Sequence, residues 1–553
     1  MPAGPDTEQR RARIIEMIGA FVLGGGLVAM VYELQGGGPM LGDGTHEQAD
    51  ASASLDPSAP AFAMAADADD DDAPAAAARV GARPSASDGG DEAEAADTGS
   101  DLPPWRTPQE DGTYGAFPPI FDLEPPPFDD EAAAQYPNHG LVTGLAVIIR
   151  ENADLESPII GVLHAGARVR TDEERTFGGG CEQGWNRVFP RGWICRKAGL
   201  KVDDQPPDDG VVAGIAQPDY EAALPFDYWR VKDEMTPFFH RLPSFEEQDL
   251  ADTAGQAWYG VHQREPMPTH PAERPADVPA VVKEYMNAGY YVTRAGEEIK
   301  SQRRFLRTQR GVYARKYQLR QKESPEFEGR VLEGPDALPL YFVRRAMPLM
   351  VRESDGSDVL VESEVTPDRL ATYPFTRTIT IGTKHFYEDA EGRMLRTYAV
   401  GKAYKLKRPP GVSKDEHWVH IDLSEQVLVA YDGDDPVFAT LVSTGKEPGM
   451  TPVGVHRVQT KHVATSMRDQ PIEDEAYSIE DVPWTQYFSG SVALHGAFWH
   501  AGFGQVRSHG CVNLSPSDAR WLFGFTDPPL PPGWHAVSPT KSTPKGSAVV
   551  VTE

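Results

Sequence analysis

The chain has 553 residues and a net charge of −30 at pH 7. It is long enough for several domains with their own cores and too acidic to seek the phosphates of nucleic acid. Residues 41–135 hold 22 Asp/Glu against 3 Lys/Arg, a net of −19, so about two-thirds of the imbalance lies in a solvated spacer.

At the start, Arg10, Arg11 and Arg13 precede sixteen uncharged, mostly apolar residues, Met17–Tyr32. Residues 1–35 therefore read as a membrane anchor or a secretion signal. The anchor, spanning 14–32, is favoured because no A-x-A cleavage site follows and no cysteine is nearby for lipidation. Basic residues ahead of the apolar run predict a cytoplasmic N-terminus and export of the remainder. Residues 36–135, dominated by Ala, Asp, Gly, Ser and Pro, read as a disordered linker.

Cys181 and Cys195 sit fourteen apart. In an exported chain they are expected to pair, closing a loop worth about 3 kcal/mol in the chain-entropy account. That leaves Cys511 alone. Residues 139–202, with strands in "GLAVIIREN" and "AGARVRT" and a hairpin in "GWNRVFPRGWICRKAGL", predict a small β-barrel. Residues 216–405 are β-rich and read as further small barrels or one irregular β-domain. Lys300, Arg303, Arg304, Arg307 and Arg310 there are expected to form a solvated strand face, or else a patch meeting anionic wall polymer. No long amphipathic helix is expected anywhere. From 415 the pattern alternates cleanly: Trp418–Leu423, Val427–Tyr431 and Val437–Ser443 form an antiparallel meander. That domain is expected to run over 415–540, leaving 541–553 as a disordered tail.

Its end contains "ALHGAFWHAGFGQVRSHGCVNLSPSDARWLF", residues 493–523. Ser515 reads as a helix cap, with Pro516 first in the helix and Asp518 third after the cap. Cys511 is a buried inert thiol, a nucleophile or a zinc ligand. A nucleophile needs a base, for which His495 and His509 qualify, and donors for an oxyanion, where Gly496 and Gly510 clear side chains from the backbone. His495-x4-His500-x8-His509-x-Cys511 matches no usual structural zinc site, and no metal is expected. His500, beside Trp499, reads as packed or hydrogen-bonded.

The same stretch resembles the active-site segment of the bacterial L,D-transpeptidases. His495-Gly496, then Ser508-His509-Gly510-Cys511-Val512-Asn513, fit the family's pattern, and Thr451-Pro452-Val453-Gly454 matches its T-P-x-G segment. The resemblance covers about 415–540. It implies a mostly β, sandwich-like catalytic domain with a short helix after the cysteine, and a reaction without cofactor. Cys511 would be the nucleophile, His495 its proton acceptor and donor, and His509 an orienting or polarising partner. Ser508 would support the histidines, and backbone N–H groups around His509–Cys511, at Gly510, would bind the oxyanion. Gly496 would keep the wall beside His495 open. Asn513 would lie beside the bound peptide, and Trp484 and Tyr487, in the covering segment 477–490, would line the cleft. The implied substrates are peptidoglycan stem peptides, donor and acceptor, joined 3→3 through a cysteine thioester with release of D-alanine. The setting is cell-wall biogenesis, and hence cell shape, on the periplasmic side of the envelope. Water or a protein lysine as acceptor would instead give a carboxypeptidase or a lipoprotein transferase. A vestigial catalytic domain would leave a wall-binding scaffold.

Residues 139–202 resemble bacterial SH3-like domains, through "R-x-N-A-D … P-I-I-G-V-L-x-x-G" and "G-W-N-R-V … G-W-I". That implies accessory modules that meet cell-wall polymer.

Overall fold

The computed structural model describes residues 128–553, except 209, 211, 213, 271, 335–336, 469–477 and 542–544. The expected anchor at 14–32 lies outside the described residues. Among those, no helix is long and apolar enough to cross a membrane. The expected linker ends in order: Asp129 caps a short helix, Asp130–Gln135.

The first unit runs from strand Asn138–Val142 to strand Leu200–Asp203. Strand Cys181–Arg187 pairs antiparallel with Trp193–Cys195, and a disulfide joins Cys181 to Cys195. A strand, one 3-10 turn and a second strand close this unit: Trp193–Cys195, Arg196–Ala198 and Leu200–Asp203. The same unit recurs twice, as Tyr313–Arg315, Lys316–Gln318, Leu319–Lys322 and as Met394–Arg396, Thr397–Ala399, Val400–Ala403.

The second unit corrects two expectations. It contains an 18-residue helix, Phe245–His262, opened by a capping box between Ser244 and Glu247. Its buried positions are Gln248, Ala251, Ala254 and Gly255, with Trp258 and Tyr259 partly buried beside them, so its inner face lacks the aliphatic stripe that marks an amphipathic helix. The five cations of this unit do not form a solvated face or a free basic patch. Arg303 is buried and donates to Pro243, Ser244 and Gln248, and Lys300 donates to the Leu242 carbonyl. Arg304 pairs with Glu297, Arg307 with Glu298, and Arg310 with Glu284 and Glu480.

The C-terminal body is a two-sheet sandwich. One sheet runs, in spatial order, Arg330–Val331, Asp435–Leu441, Val427–Asp432, His417–Asp422, Ala548–Thr552, Gly454–Arg457. The tail expected after 540 is thus in part a central strand: Ala548–Thr552 lies parallel to His417–Asp422 and antiparallel to Gly454–Arg457. "AVVV" is an uninterrupted β-branched run, as a strand buried on both faces requires. The second sheet holds Thr460–Arg468, Ser478–Ser489, Val492–Gly496 and Val512–Leu514, with the last two parallel. Helix Pro516–Phe525 packs between the sheets, where Trp521 stacks on Phe438 at 4.1 Å. Buried Lys461 donates to the Phe523 and Thr526 carbonyls, both at 2.6 Å. It thereby satisfies orphan carbonyls at the helix C-terminus, and burial pulls its pKa down to about 7.

The other units are built into this body. Gly161 and Val162 of the first unit pair with Val537 and Ala536. At that seam His164 stacks on His535, 3.3 Å between ring centres. The second unit reaches the hairpin strand Ser478–Ser489 through a bridge between Tyr291 and Ile479. Arg330–Val331 adds an edge strand, pairing with Ala439 and Phe438.

Candidate active site

Strands Val492–Gly496 and Val512–Leu514 run side by side with His495 opposite Asn513. The neighbouring strand sets Tyr487 opposite Ala493. Side chains alternate along a strand and match across a ladder. Tyr487, Ala493, His495 and Asn513 therefore share one face, and Cys511, just ahead of the strand, meets it through the Ala493 backbone hydrogen bond and Tyr487.

Cys511 is the free cysteine of the described residues and is half-buried. Its thiol lies 3.8 Å from the Ser491 carbonyl. Burial pushes its pKa up to about 11, against a smaller lowering by a backbone hydrogen bond from Ala493. His495 is 2 % exposed, and burial draws its pKa down to about 4. Its Nδ1 stands 3.3 Å from the carbonyl of Gly496, which can only accept. The proton thus sits on Nδ1 and the lone pair on Nε2. Both groups rest uncharged: a neutral thiol and a neutral imidazole with a free acceptor nitrogen. Tyr487 lies near enough for Cys511 to act on it. Burial first, then the Cys511 charge, push its pKa up to about 12.

The loop before Cys511 is tied from three directions. The Ser508 hydroxyl donates to the Cys511 carbonyl and accepts from the Gly510 N–H. Ser508 therefore shapes the turn, which differs from the expected support of the histidines. Gly510 has φ +134°, and a Cβ there would sit 2.8 Å from the Met450 carbonyl oxygen, so only glycine suits. Buried Thr451 donates to the Gly510 carbonyl at 2.7 Å and accepts from the Gly445 N–H at 3.0 Å. The sequence offered Thr451 only as a motif match; here it staples the cysteine loop. His509 is exposed at the rim.

Two expected cleft residues go elsewhere. Trp484 is fully buried, donates from Nε1 to the Ala223 carbonyl at 2.7 Å and packs edge-on against Phe523. Trp484 has φ +56°, so regular alternation breaks at it; it faces the core, whereas Tyr487, three residues on, borders Cys511. Gly496 does not open a wall beside His495. A Cβ on it would meet Pro483 and Pro516 at 3.1 Å, so the glycine lets the strand close onto the helix. Asn513 is buried, with its amide 2.9 Å from Nε2 of His500. The Gly502 N–H donates to Nδ1 of His500, and it is Nδ2 of Asn513 that stands against the His500 Nε2. Asp518, in the helix after Cys511, is buried and accepts from the Gly329 N–H and the Thr440 hydroxyl. Burial pushes its carboxyl up to about 6.

Residues 416–551 match the family model of the L,D-transpeptidase catalytic domain, YkuD. Among curated proteins, L,D-transpeptidase 2 of Mycobacterium tuberculosis is 28 % identical over 127 residues, 20 % of this chain and 31 % of the relative. The chain thus spans about a third of the length of that relative. Among solved structures, the catalytic domain of the Enterococcus faecium L,D-transpeptidase is 23 % identical, with 25 % of this chain and 98 % of that one covered and a TM-score of 0.20. An L,D-transpeptidase from Mycobacterium smegmatis is 17 % identical, with 41 % and 100 % covered and a TM-score of 0.21.

Proposed function

We propose, from the premise that residues 416–551 are an L,D-transpeptidase catalytic domain, that this protein cross-links peptidoglycan stem peptides 3→3 through Cys511. The observation that carries this reading is the strand face shared by His495 and Asn513 and met by Cys511, with Nε2 of His495 left as an acceptor.

The substrate carbonyl belongs to the L-centre of meso-diaminopimelate, ahead of a terminal D-alanine. Sγ of Cys511 attacks its carbon while the thiol proton passes to Nε2 of His495. Because burial disfavours both the thiolate and the imidazolium, transfer accompanies attack and no ion pair is stored beforehand. The oxyanion is held by backbone N–H. The Gly510 N–H already serves Ser508, so the reading assigns this role to the N–H of Cys511. His495 then returns the proton to the departing amine, the C–N bond breaks, and D-alanine leaves a thioester. The acceptor amine attacks the thioester and gives its proton to His495, and the cysteine sulfur departs. The energy of one amide is carried to the next, which suits an exported enzyme without nucleotides. Tyr487 borders the thiol on the substrate side. The N-terminal apolar segment is proposed to anchor the protein in the inner membrane, and the small β-units, SH3-like in their motifs, to meet the wall.

The test is muropeptide analysis after mixing the purified protein with disaccharide-tetrapeptide. The reading expects 3→3 dimers and free D-alanine from wild type and neither from Cys511→Ala. Tripeptide without dimers would make the protein a carboxypeptidase. No product from folded wild type would leave a scaffold.

A further inference from the structure

The loop His500–Arg507 joins the His495 strand to the turn that carries Cys511, and arginines pack it. Arg369, between strands Leu360–Glu362 and Arg377–Ile381, donates from Nη1 to the Ala501 carbonyl and from Nη2 to the Phe503 carbonyl, both at 2.9 Å. Arg507 folds back over Gly502, the residue between them: its Nη1 lies 2.3 Å from where a Gly502 Cβ would be. Two guanidiniums therefore meet over one residue of loop. Arg507 is exposed and Arg369 half-buried.

This meeting has no negative partner among the described residues. Burial first, then repulsion by Arg507, lowers the pKa of Arg369, and His500 is lowered by burial first and then by Arg507, His495 and Arg369, all cationic or potentially so. A third arginine packed on the same loop behaves differently. Arg344 lies against Gly504, but Glu425 is its leading charged neighbour and offsets it. Like charges brought together at a half-buried place repel in proportion to the loss of water around them. A pair kept that way is complementary to an anion, and the planar guanidinium fork suits a carboxylate.

We propose that Arg507, backed by Arg369, is a subsite for a carboxylate of the stem peptide, holding the substrate beside Cys511. The subsite rests on the stem peptide's being the substrate. It lies on the loop whose two ends carry His495 and Cys511, and His500 links it through the Asn513 amide to the shared strand face. Arg369 comes from outside residues 416–551, so the β-segment between Leu360–Glu362 and Arg377–Ile381 completes the substrate site of the catalytic domain. A murein tetrapeptide offers carboxylates on its terminal D-alanine, on diaminopimelate and on glutamate. All three have the same chemistry, and amidating each in turn identifies the one held.

The experiment measures two things on the full chain: kinetics with murein tetrapeptide for wild type, Arg507→Ala and Arg507→Lys, and direct peptide binding in the Cys511→Ala background with and without Arg507→Ala. Loss of a charge-assisted contact predicts KM raised about tenfold for Arg507→Ala with kcat within about threefold, and partial rescue by lysine. One of the three amidated peptides should bind the Cys511→Ala protein as weakly as Arg507→Ala binds the unmodified peptide, with no further loss when both changes are combined. Equal binding with and without Arg507, or a loss that adds fully to every amidation, overturns the subsite. Arg507-dependent binding in a protein whose wild type turns nothing over would sustain the subsite and overturn the transpeptidase reading.

Discussion

The cysteine face of the C-terminal body and the contact between the second β-unit and the hairpin strand Ser478–Ser489 handle polar groups in opposite ways. On the first, burial holds Cys511 and His495 uncharged, and each keeps one reactive atom unspent. At the second, charge is kept and paired. Glu480 is 1 % exposed and meets Arg310, while Asp481 accepts from the Thr293 hydroxyl and its carbonyl accepts from Tyr228. A buried pair can hold units in register only because both charges are present, whereas a catalytic pair has to be able to exchange a proton. The same strand serves both ends: Glu480 and Asp481 fasten it to the second unit, and Tyr487 borders the thiol.

That contrast can be broken at several points. Removing the base is expected to have the largest effect: His495→Ala should slow acylation of Cys511 by about 10²–10⁴-fold with little change in melting temperature, read by stopped reaction and intact mass. Trp484→Ala should do the reverse, costing about 3–5 kcal/mol of stability in denaturant titration. Tyr487→Phe should leave stability near wild type, and a comparable loss from both variants would contradict the placement of Trp484 in the core and Tyr487 beside the thiol. Glu480→Gln leaves Arg310 with one partner fewer and should cost about 3 kcal/mol. Its acylation rate should fall only as far as the hairpin loosens.

The last prediction concerns pH. His164, His462 and His535 cluster at the seam with the first unit, with His164 and His535 stacked, and burial lowers the pKa of each, His462 to about 3 and His535 to about 4. The unfolded chain takes protons on them below about 6.5 while the folded one does not. Stability is therefore whole above that pH and is lost as pH falls from about 6.5 towards 4, by up to about 1.4 kcal/mol per unit for each histidine. Denaturant titrations between pH 7 and 5.5 should show this slope, and His164→Phe, which removes one of the three histidines, should reduce it by about a third. A flat profile in wild type would contradict buried neutral histidines at the seam.

Much of the C-terminal body was legible in the chain because its signals are local. Alternation marks the strands around Trp418 and Val427, and Ser515-Pro516 starts the helix. What failed depended on residues far apart in sequence. Trp484 finds its partner at Ala223 and Arg310 finds Glu480, so neither could be distinguished from a cleft aromatic or a surface cation. Helix Phe245–His262 buries Gln248, two alanines and a glycine in place of an aliphatic stripe. Ala548–Thr552 was a plain β-branched run, but its position after a Pro/Gly/Ser stretch made it look like a tail. Gly496 and Ser508 stood out in the sequence as motif residues, but the contacts that define what they do, to Pro516 and to the Gly510 N–H, come from folding.

The account turns on whether Cys511 is acylated, and intact-protein mass spectrometry of wild type and Cys511→Ala after mixing with murein tetrapeptide tests it most directly. The prediction is a tripeptidyl adduct on wild type that maps to Cys511, with free D-alanine in the supernatant, and none on Cys511→Ala. Product formed equally by both proteins, or folded wild type that takes up no adduct and releases no D-alanine, would contradict it.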